Sequence, residues 1–182
     1  MIDLSNANVG LIFGTDTGNT EEVGDKISTS LAAHGVVVEM LNVTDASPEQ
    51  IEEFDFIIMG IPTWDFGGIQ EDWENFEDEI LATKLTGKTV ALYGLGDQLG
   101  YGYYFVDAMG WLNERVLKAG ATVIGHCSTE GYTYDESLAV NAEKTEFCGL
   151  AIDDDQQFEL TDERIERWTE QIIKQYQQTN AA

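Results

Sequence analysis

The residues from Gly14 to Thr20, Gly-Thr-Asp-Thr-Gly-Asn-Thr, combine hydroxyls with glycines and include no lysine or arginine. Small residues let an anion come close to backbone N–H groups, and the hydroxyls of Thr15, Thr17 and Thr20 add donors. Such a set suits a phosphate. It is not the Gly-x-x-x-x-Gly-Lys-Ser/Thr loop, whose lysine reaches outer phosphates, and it is not Gly-x-Gly-x-x-Gly. A terminal monophosphate held by backbone dipoles fits better than a triphosphate. Taken alone, the same residues also make an ordinary strand-to-helix turn with a threonine cap.

Two further segments could hold the rest of a ligand. One reads Pro62-Thr63-Trp64-Asp65-Phe66-Gly67-Gly68 and the other Gly94-Leu95-Gly96-Asp97-Gln98-Leu99-Gly100-Tyr101-Gly102. Each sets one large aromatic, Trp64 or Tyr101, among small residues. Alone, each aromatic reads as core packing or as a scattered surface ring. On neighbouring loops the pair could clamp a flat ring, since offset stacking adds ~0.5 to 1.5 kcal/mol per pair beyond buried area. Gly67 or Gly68 would let a nearby peptide turn its carbonyl over, a motion that a Cβ resists wherever φ must become positive.

The surrounding pattern supplies elements to position these loops. Val9 to Phe13 is a continuous apolar run, as in a strand buried on both faces, and Val23, Ile27 and Leu31 form one stripe of a helix. Gly35 closes that helix before a second strand at Val36 to Leu41. Ser47-Pro48-Glu49-Gln50 reads as a capping box opening a short helix. A third strand, Phe54 to Gly60, is expected to stop at Pro62. Trp73, Phe76 and Ile80 follow at helical spacing, then a fourth strand, Val90 to Tyr93. A helix with Phe105, Met109, Leu112 and Val116 inward precedes a fifth strand from Thr122 to Gly125.

Strands alternate with helices over short connections, which predicts a parallel sheet covered on both faces. Ligands then bind at the carboxyl ends of the strands, where strand order reverses. The period breaks at 128–147, a polar stretch with Gly131, Tyr132 and Tyr134, and strand character resumes from Phe147 to Ile152. This reads as an insertion that splits or extends the fifth strand. Leu160-Thr161 should cap a last helix with Ile165, Trp168 and Ile172 inward, and 179–182 should fray.

A single domain, 1–182, is expected from the length of 182 residues. No apolar run approaches the ~20 residues that span a bilayer, and the first six residues lack the pattern of a signal peptide, so a cytoplasmic location is expected. Cys127 and Cys148 form no Cys-x-x-Cys pair, and with only two histidines metal binding has little support. Two buried reduced thiols are expected. Acidic residues number 34 against 9 basic, a formal net charge of −25, which sets nucleic acid and anionic membranes aside as partners.

The three loops in this order closely resemble flavodoxin, and the interrupted fifth strand resembles the long-chain type. The likeness covers nearly the whole chain, including Asp-Trp-Glu at 72–74 and Leu-Thr-Asp-Glu-Arg-Ile at 160–165. It implies a three-layer αβα fold with a five-stranded parallel sheet in the order 2-1-3-4-5 and FMN, bound non-covalently, at the switch point. Thr15, Asp16, Thr17, Gly18, Asn19 and Thr20 would hold the FMN phosphate. Pro62, Thr63 and Trp64 would line one side of the ring and Tyr101 the other. The backbone of Asp65, Phe66 and Gly67 would meet flavin N5, and Leu95, Gly96 and Asp97 the pyrimidine edge. Some relatives carry lysine where Asn19 stands, which leaves dipoles and hydroxyls to hold the phosphate here.

The function implied is low-potential one-electron transfer from an NADPH-dependent flavodoxin/ferredoxin reductase to low-potential acceptor enzymes, by a monomer that is not itself an enzyme. Asp72, Glu74, Asp97 and Asp153 to Asp155 would steer a basic partner. The alternative is an FMN-dependent NAD(P)H:quinone oxidoreductase on the same scaffold. Against it, no basic group in the flavin loops is placed for a nicotinamide nucleotide, and His126, on strand five, reads as structural. A receiver-type domain would need a carboxylate where Gly60-Ile61-Pro62 stands.

Overall fold

The computed structural model describes residues 3–180. The apolar run at the start forms β1 (Val9–Phe13), buried along its whole length, and α1 (Asn19–Ala33) follows the phosphate-type loop. Gly35, at φ +79°, ends α1, and the amide of Val36 returns to the Leu31 carbonyl at 3.1 Å. Next come β2 (Val38–Asn42) and α2 (Pro48–Glu52). Ser47 and Gln50 cap α2 reciprocally, as the sequence predicted.

The third strand differs from expectation. It runs as β3 (Phe56–Trp64), with Pro62 inside it opposite Leu95. Pairing with β1 ends at Gly60, so past that residue one flank of β3 has no ladder to break, and proline is tolerated there. A tight turn leads into β4 (Gly68–Ile69), antiparallel to β3. The helical spacing of Trp73, Phe76 and Ile80 resolves into two short helices, α3 (Glu71–Asn75) and α4 (Glu77–Ala82), with Phe76 capping both.

After β5 (Thr89–Leu95) and α5 (Asp107–Lys118), the fifth sheet position is divided. β6 (Thr122–Ile124) and β9 (Leu150–Ile152) pair with opposite ends of β5. Between them, β7 (Cys127–Ser128) and β8 (Glu146–Phe147) form a separate antiparallel ribbon, so the run from Phe147 to Ile152 is two strands broken at Gly149. Tyr132, Tyr134 and Phe147 gather around Phe105, with centroids 5.7 to 5.8 Å from its ring, and these contacts fix the insertion. His126 is exposed between β6 and β7 and lies on neither strand.

The sheet order β2-β1-β3-β5-β6 is the expected 2-1-3-4-5 once β4 is counted, with helices on both faces. One core packs α2 to α5 on the sheet; the other packs α1 and α6 (Thr161–Thr179). Thr161 is the first helical residue, not a cap, and its hydroxyl donates to Asp154. The helix holds through Thr179, and 181–182 lie outside the described residues. Cys127 packs on one core and Cys148 on the other, as free half-buried thiols on opposite sides of the sheet.

Candidate functional site

The carboxyl ends of β1, β3, β5 and β9 meet along one edge, and a cleft of about 240 Å³ opens there. Its walls include Thr15, Thr17, Asn19 and Thr20 from the first loop, and Pro62, Thr63, Trp64 and Asp65 from the second. Leu95, Gly96, Asp97 and Tyr101 come from the third. Three separate segments are thereby joined as the sequence implied.

The first loop is held from beneath. Gly14 has no room for a Cβ, which would come 2.6 Å from Trp73 Cδ1 and also strike the Gln70 amide. That buried amide donates to Asp16 at 3.1 Å, so the Asp16 side chain serves the loop's own structure and does not line the cleft. Gly18, at φ +90°, turns the chain into α1 and donates its N–H to Thr15 Oγ1 at 2.9 Å. The first amides of α1 have no partner within the helix, and they meet the cleft with the positive end of the helix dipole. Tyr93 fixes the helix from the sheet: its buried hydroxyl donates to the Thr20 carbonyl at 2.8 Å. Burial raises this phenol well above its ordinary value, with Asp25 and Glu21 adding to the rise.

The second loop is a three-residue turn from Trp64 to Gly68. Asp65 adopts φ +43° and Gly67 φ +83°, so the left-handed conformation expected of glycine is shared by an aspartate. Gly67 is closely covered, since a Cβ there would lie 3.1 Å from Asp107 Oδ2 and 3.3 Å from the Tyr104 ring. Phe66 points outward, 77% exposed, with its ring edge-on to Tyr101 and Tyr104. The Tyr101 hydroxyl reaches Asp65 Oδ1 at 3.4 Å and ties the second loop to the third.

In the third loop, Asp97 Oδ1 accepts from the amides of Leu99 and Gly100 and from Gln156 Nε2. Burial disfavours its charge, but the bonds from Gly100, Gln156 and Leu99 prevail and hold the carboxyl below its ordinary value. Gln98 is buried and spans three segments: it donates to Asp153 twice, at 3.0 and 2.8 Å, and accepts from Thr133 of the insertion. Val106, a β-branched residue at φ +50°, marks strain where this loop enters α5.

Some expectations need correction. Asp153 is fully buried and receives four hydrogen bonds, two from Gln98 and one each from the amides of Asp155 and Gln156, so it organises loops and cannot steer a partner. Gly18, Phe66 and Gly67 shape the site beside the residues that line the cleft. Tyr104, Asp154 and Asp155 do line it. Tyr104 follows Tyr101 at i+3 across a single 3₁₀ turn, Gly102–Tyr104, a spacing that placed both rings on one side. Asp154 and Asp155 follow β9 and therefore reach the same sheet edge. Burial, and then Asp97, Asp153 and Asp154, raise the Asp155 carboxyl above its ordinary value.

The arrangement offers an anion cradle at one end, aromatic walls at the other, and carboxylates but no lysine or arginine around the mouth. The family model described as Flavodoxin matches residues 11–168. Flavodoxin 2 of Escherichia coli (strain K12) is 45% identical over 168 residues, which cover 92% of this chain and 96% of that one. The flavodoxin of Trichodesmium erythraeum (strain IMS101) is 46% identical over 169 residues, covering 92% and 97%. The crystal structure of Fusobacterium nucleatum flavodoxin bound to flavin mononucleotide superposes with a TM-score of 0.86 at 32% identity, over 93% of this chain and 98% of that one. With a family model spanning most of the chain and such relatives covering nearly all of it, the protein belongs to the flavodoxin family.

Proposed function

We propose that the cleft binds FMN without a covalent bond and that the protein carries single electrons at low potential. When bound, FMN supplies a ring that accepts and donates electrons one at a time. The observation that carries this reading is the convergence of an uncharged, amide-rich cradle with Trp64 and Tyr101 on the walls of one cleft. Thr15, Thr17, Asn19 and Thr20 would hold the phosphate through hydroxyls and amides. Pro62, Thr63, Trp64 and Tyr101 would hold the ring, with Leu95, Gly96 and Asp97 at its pyrimidine edge.

The chain's own groups divide the two electron steps. A carbonyl of Asp65 or Phe66 turned toward N5 would accept a hydrogen bond from a proton held at that atom. The turn can adopt that form because Asp65 and Gly67 already occupy positive φ. Asp65, Asp97, Asp154 and Asp155 would disfavour added negative charge on the ring, and no lysine or arginine lines the cleft to offset them. Each ~1.4 kcal/mol of such repulsion lowers a one-electron potential by about 59 mV.

The same charge distribution favours a carrier over a quinone-reducing enzyme, which would need a basic group for a nicotinamide nucleotide phosphate. The physiological electron source on this reading is an NADPH-dependent flavodoxin reductase and the acceptors are low-potential enzymes, met in the cytoplasm by a monomer. Phe66, Leu99 and Tyr101, all exposed, give that encounter an apolar contact beside the flavin. Stepwise anaerobic reduction of the FMN-loaded protein, followed by visible spectroscopy, tests the proposal. Long-wavelength absorbance at the one-electron stage is expected. Direct bleaching without it, or oxidation of NADPH with no reductase added, would overturn the carrier reading.

A further inference from the structure

A second cavity, about 510 Å³, lies beside the flavin cleft and shares Tyr104 with it. It opens between the start of α5 and the insertion, and its walls carry Tyr103, Tyr104 and Tyr134 with Asp107, Asp135 and Glu136. Asp107 is 6% exposed. Its Oδ1 accepts the Leu138 amide at 2.7 Å, and its Oδ2 lies against Gly67 with no donor or cation paired to it among the described residues. Burial, opposed by the Leu138 amide and reinforced by Glu136, raises this carboxyl above its ordinary value. A buried carboxylate bonded to one amide and to no cation has room for a further partner. No group of His, Cys, Asp and Glu among the described residues is arranged to hold a metal ion.

We infer that this cavity receives an arginine side chain of the redox partner, anchoring that partner beside the flavin cleft. A guanidinium is planar, pairs with carboxylates through its fork of donors and stacks on tyrosine faces, whereas an ammonium is a compact, strongly hydrated point charge. Leu138 and Val140 offer apolar surface for the methylene stem. Tyr103 stands 62% exposed at the mouth, where an entering side chain would meet it first. Continuity through Tyr104 places the anchor where a partner's basic face must approach. Lys144 also lines the cavity, pairs with no carboxylate among the described residues, and opposes a second cation until it swings aside. The inference rests on the carrier reading for its partner, but not for the chemistry of the cavity.

The test separates the two. FMN-loaded, ¹⁵N-labelled protein is titrated with N-acetyl-arginine methylamide and with its citrulline counterpart, which keeps the shape and loses the charge. Saturable shifts at the Leu138 and Glu136 amides are expected with arginine, and affinity at least about tenfold weaker with citrulline. Lys144→Gln should tighten arginine binding, and Asp107→Asn, which keeps an oxygen for Leu138, should weaken it. Equal binding of the two compounds, or no saturation by either, overturns the inference without touching the flavin reading. In the second arm, stopped-flow reduction by a flavodoxin reductase should slow several-fold in Asp107→Asn at low salt, with the flavin spectrum checked in the same sample. An unchanged rate in a variant that no longer takes arginine would overturn the partner assignment.

Discussion

Gly67 is the residue on which the redox reading is most exposed to experiment. Its φ of +83° costs a side chain with a Cβ ~1 to 2 kcal/mol, and that Cβ would sit 3.1 Å from Asp107 Oδ2. Gly67→Val should therefore hinder the carbonyl turn at Asp65 or Phe66, and potentiometry should find the two one-electron potentials closer by tens of millivolts. An unchanged separation would remove that carbonyl from the account. The two cysteines give a different readout. Burial pushes both thiols from 9.0 up to about 12, so the native chain keeps protons that the unfolded chain releases from about pH 9. Their contribution to stability is full below that pH and disappears as pH rises toward about 12. Urea melts at about pH 8 and about pH 10 should show a loss that is smaller in the Cys127→Ala/Cys148→Ala protein. Residues such as Trp64 and Tyr101 were legible because a large ring among glycines is conspicuous in sequence. Asp153 was not, since an acidic triplet gives no sign that Gln98, 55 positions earlier, encloses its first member.

Whole elements were legible where a single force set them. β1 and β5 are continuous apolar runs because both faces are covered, and α1 shows its buried stripe because only one face is. Pro62 misled because its tolerance depends on where the neighbouring strand β1 ends, a fact of register and not of local sequence. The insertion could be located by its lost period, but the aromatic cluster on Phe105 that holds it joins residues distant in the chain. The placement of α1 was hidden for the same reason. Tyr93 crosses the sheet face above Gly60, where a Cβ would collide with its ring, and reaches Gly24 and the Thr20 carbonyl in α1. One strand thus fixes the helix whose N-terminus forms the phosphate cradle. Tyr93→Phe should cost about 1 to 3 kcal/mol in urea unfolding, because it removes a fully buried donor. It should also weaken FMN binding, measured by fluorescence quenching of free flavin, while phosphate-free riboflavin is affected less. Equal losses for both ligands would show that the tyrosine acts on the fold at large and not on the cradle.

For the molecule as a whole, the net charge of −25 acts in two directions that salt can separate. Within the chain, only a few ion pairs are found among the described residues, such as Lys26 with Asp162 at 2.8 Å and Arg115 with Glu77 at 2.8 Å. Most carboxylates therefore repel one another across the surface, and self-repulsion works against the compact state. Screening shortens the reach of that repulsion from about 10 Å at 0.1 M salt to about 3 Å at 1 M. Added sodium chloride should raise the unfolding midpoint of the isolated protein. Toward a basic reductase the same charges attract at long range, so the same salt should slow the second-order reduction rate, by about tenfold or more over that interval. Sodium sulfate would confuse the comparison because it also strengthens apolar burial, which makes chloride the proper salt. A rise in midpoint together with a fall in rate would assign both to the acidic surface. If the rate held constant while the midpoint rose, the charge would serve the chain's behaviour in salt alone, and docking would rest on Phe66, Leu99, Tyr101 and the tyrosine-lined cavity beside them.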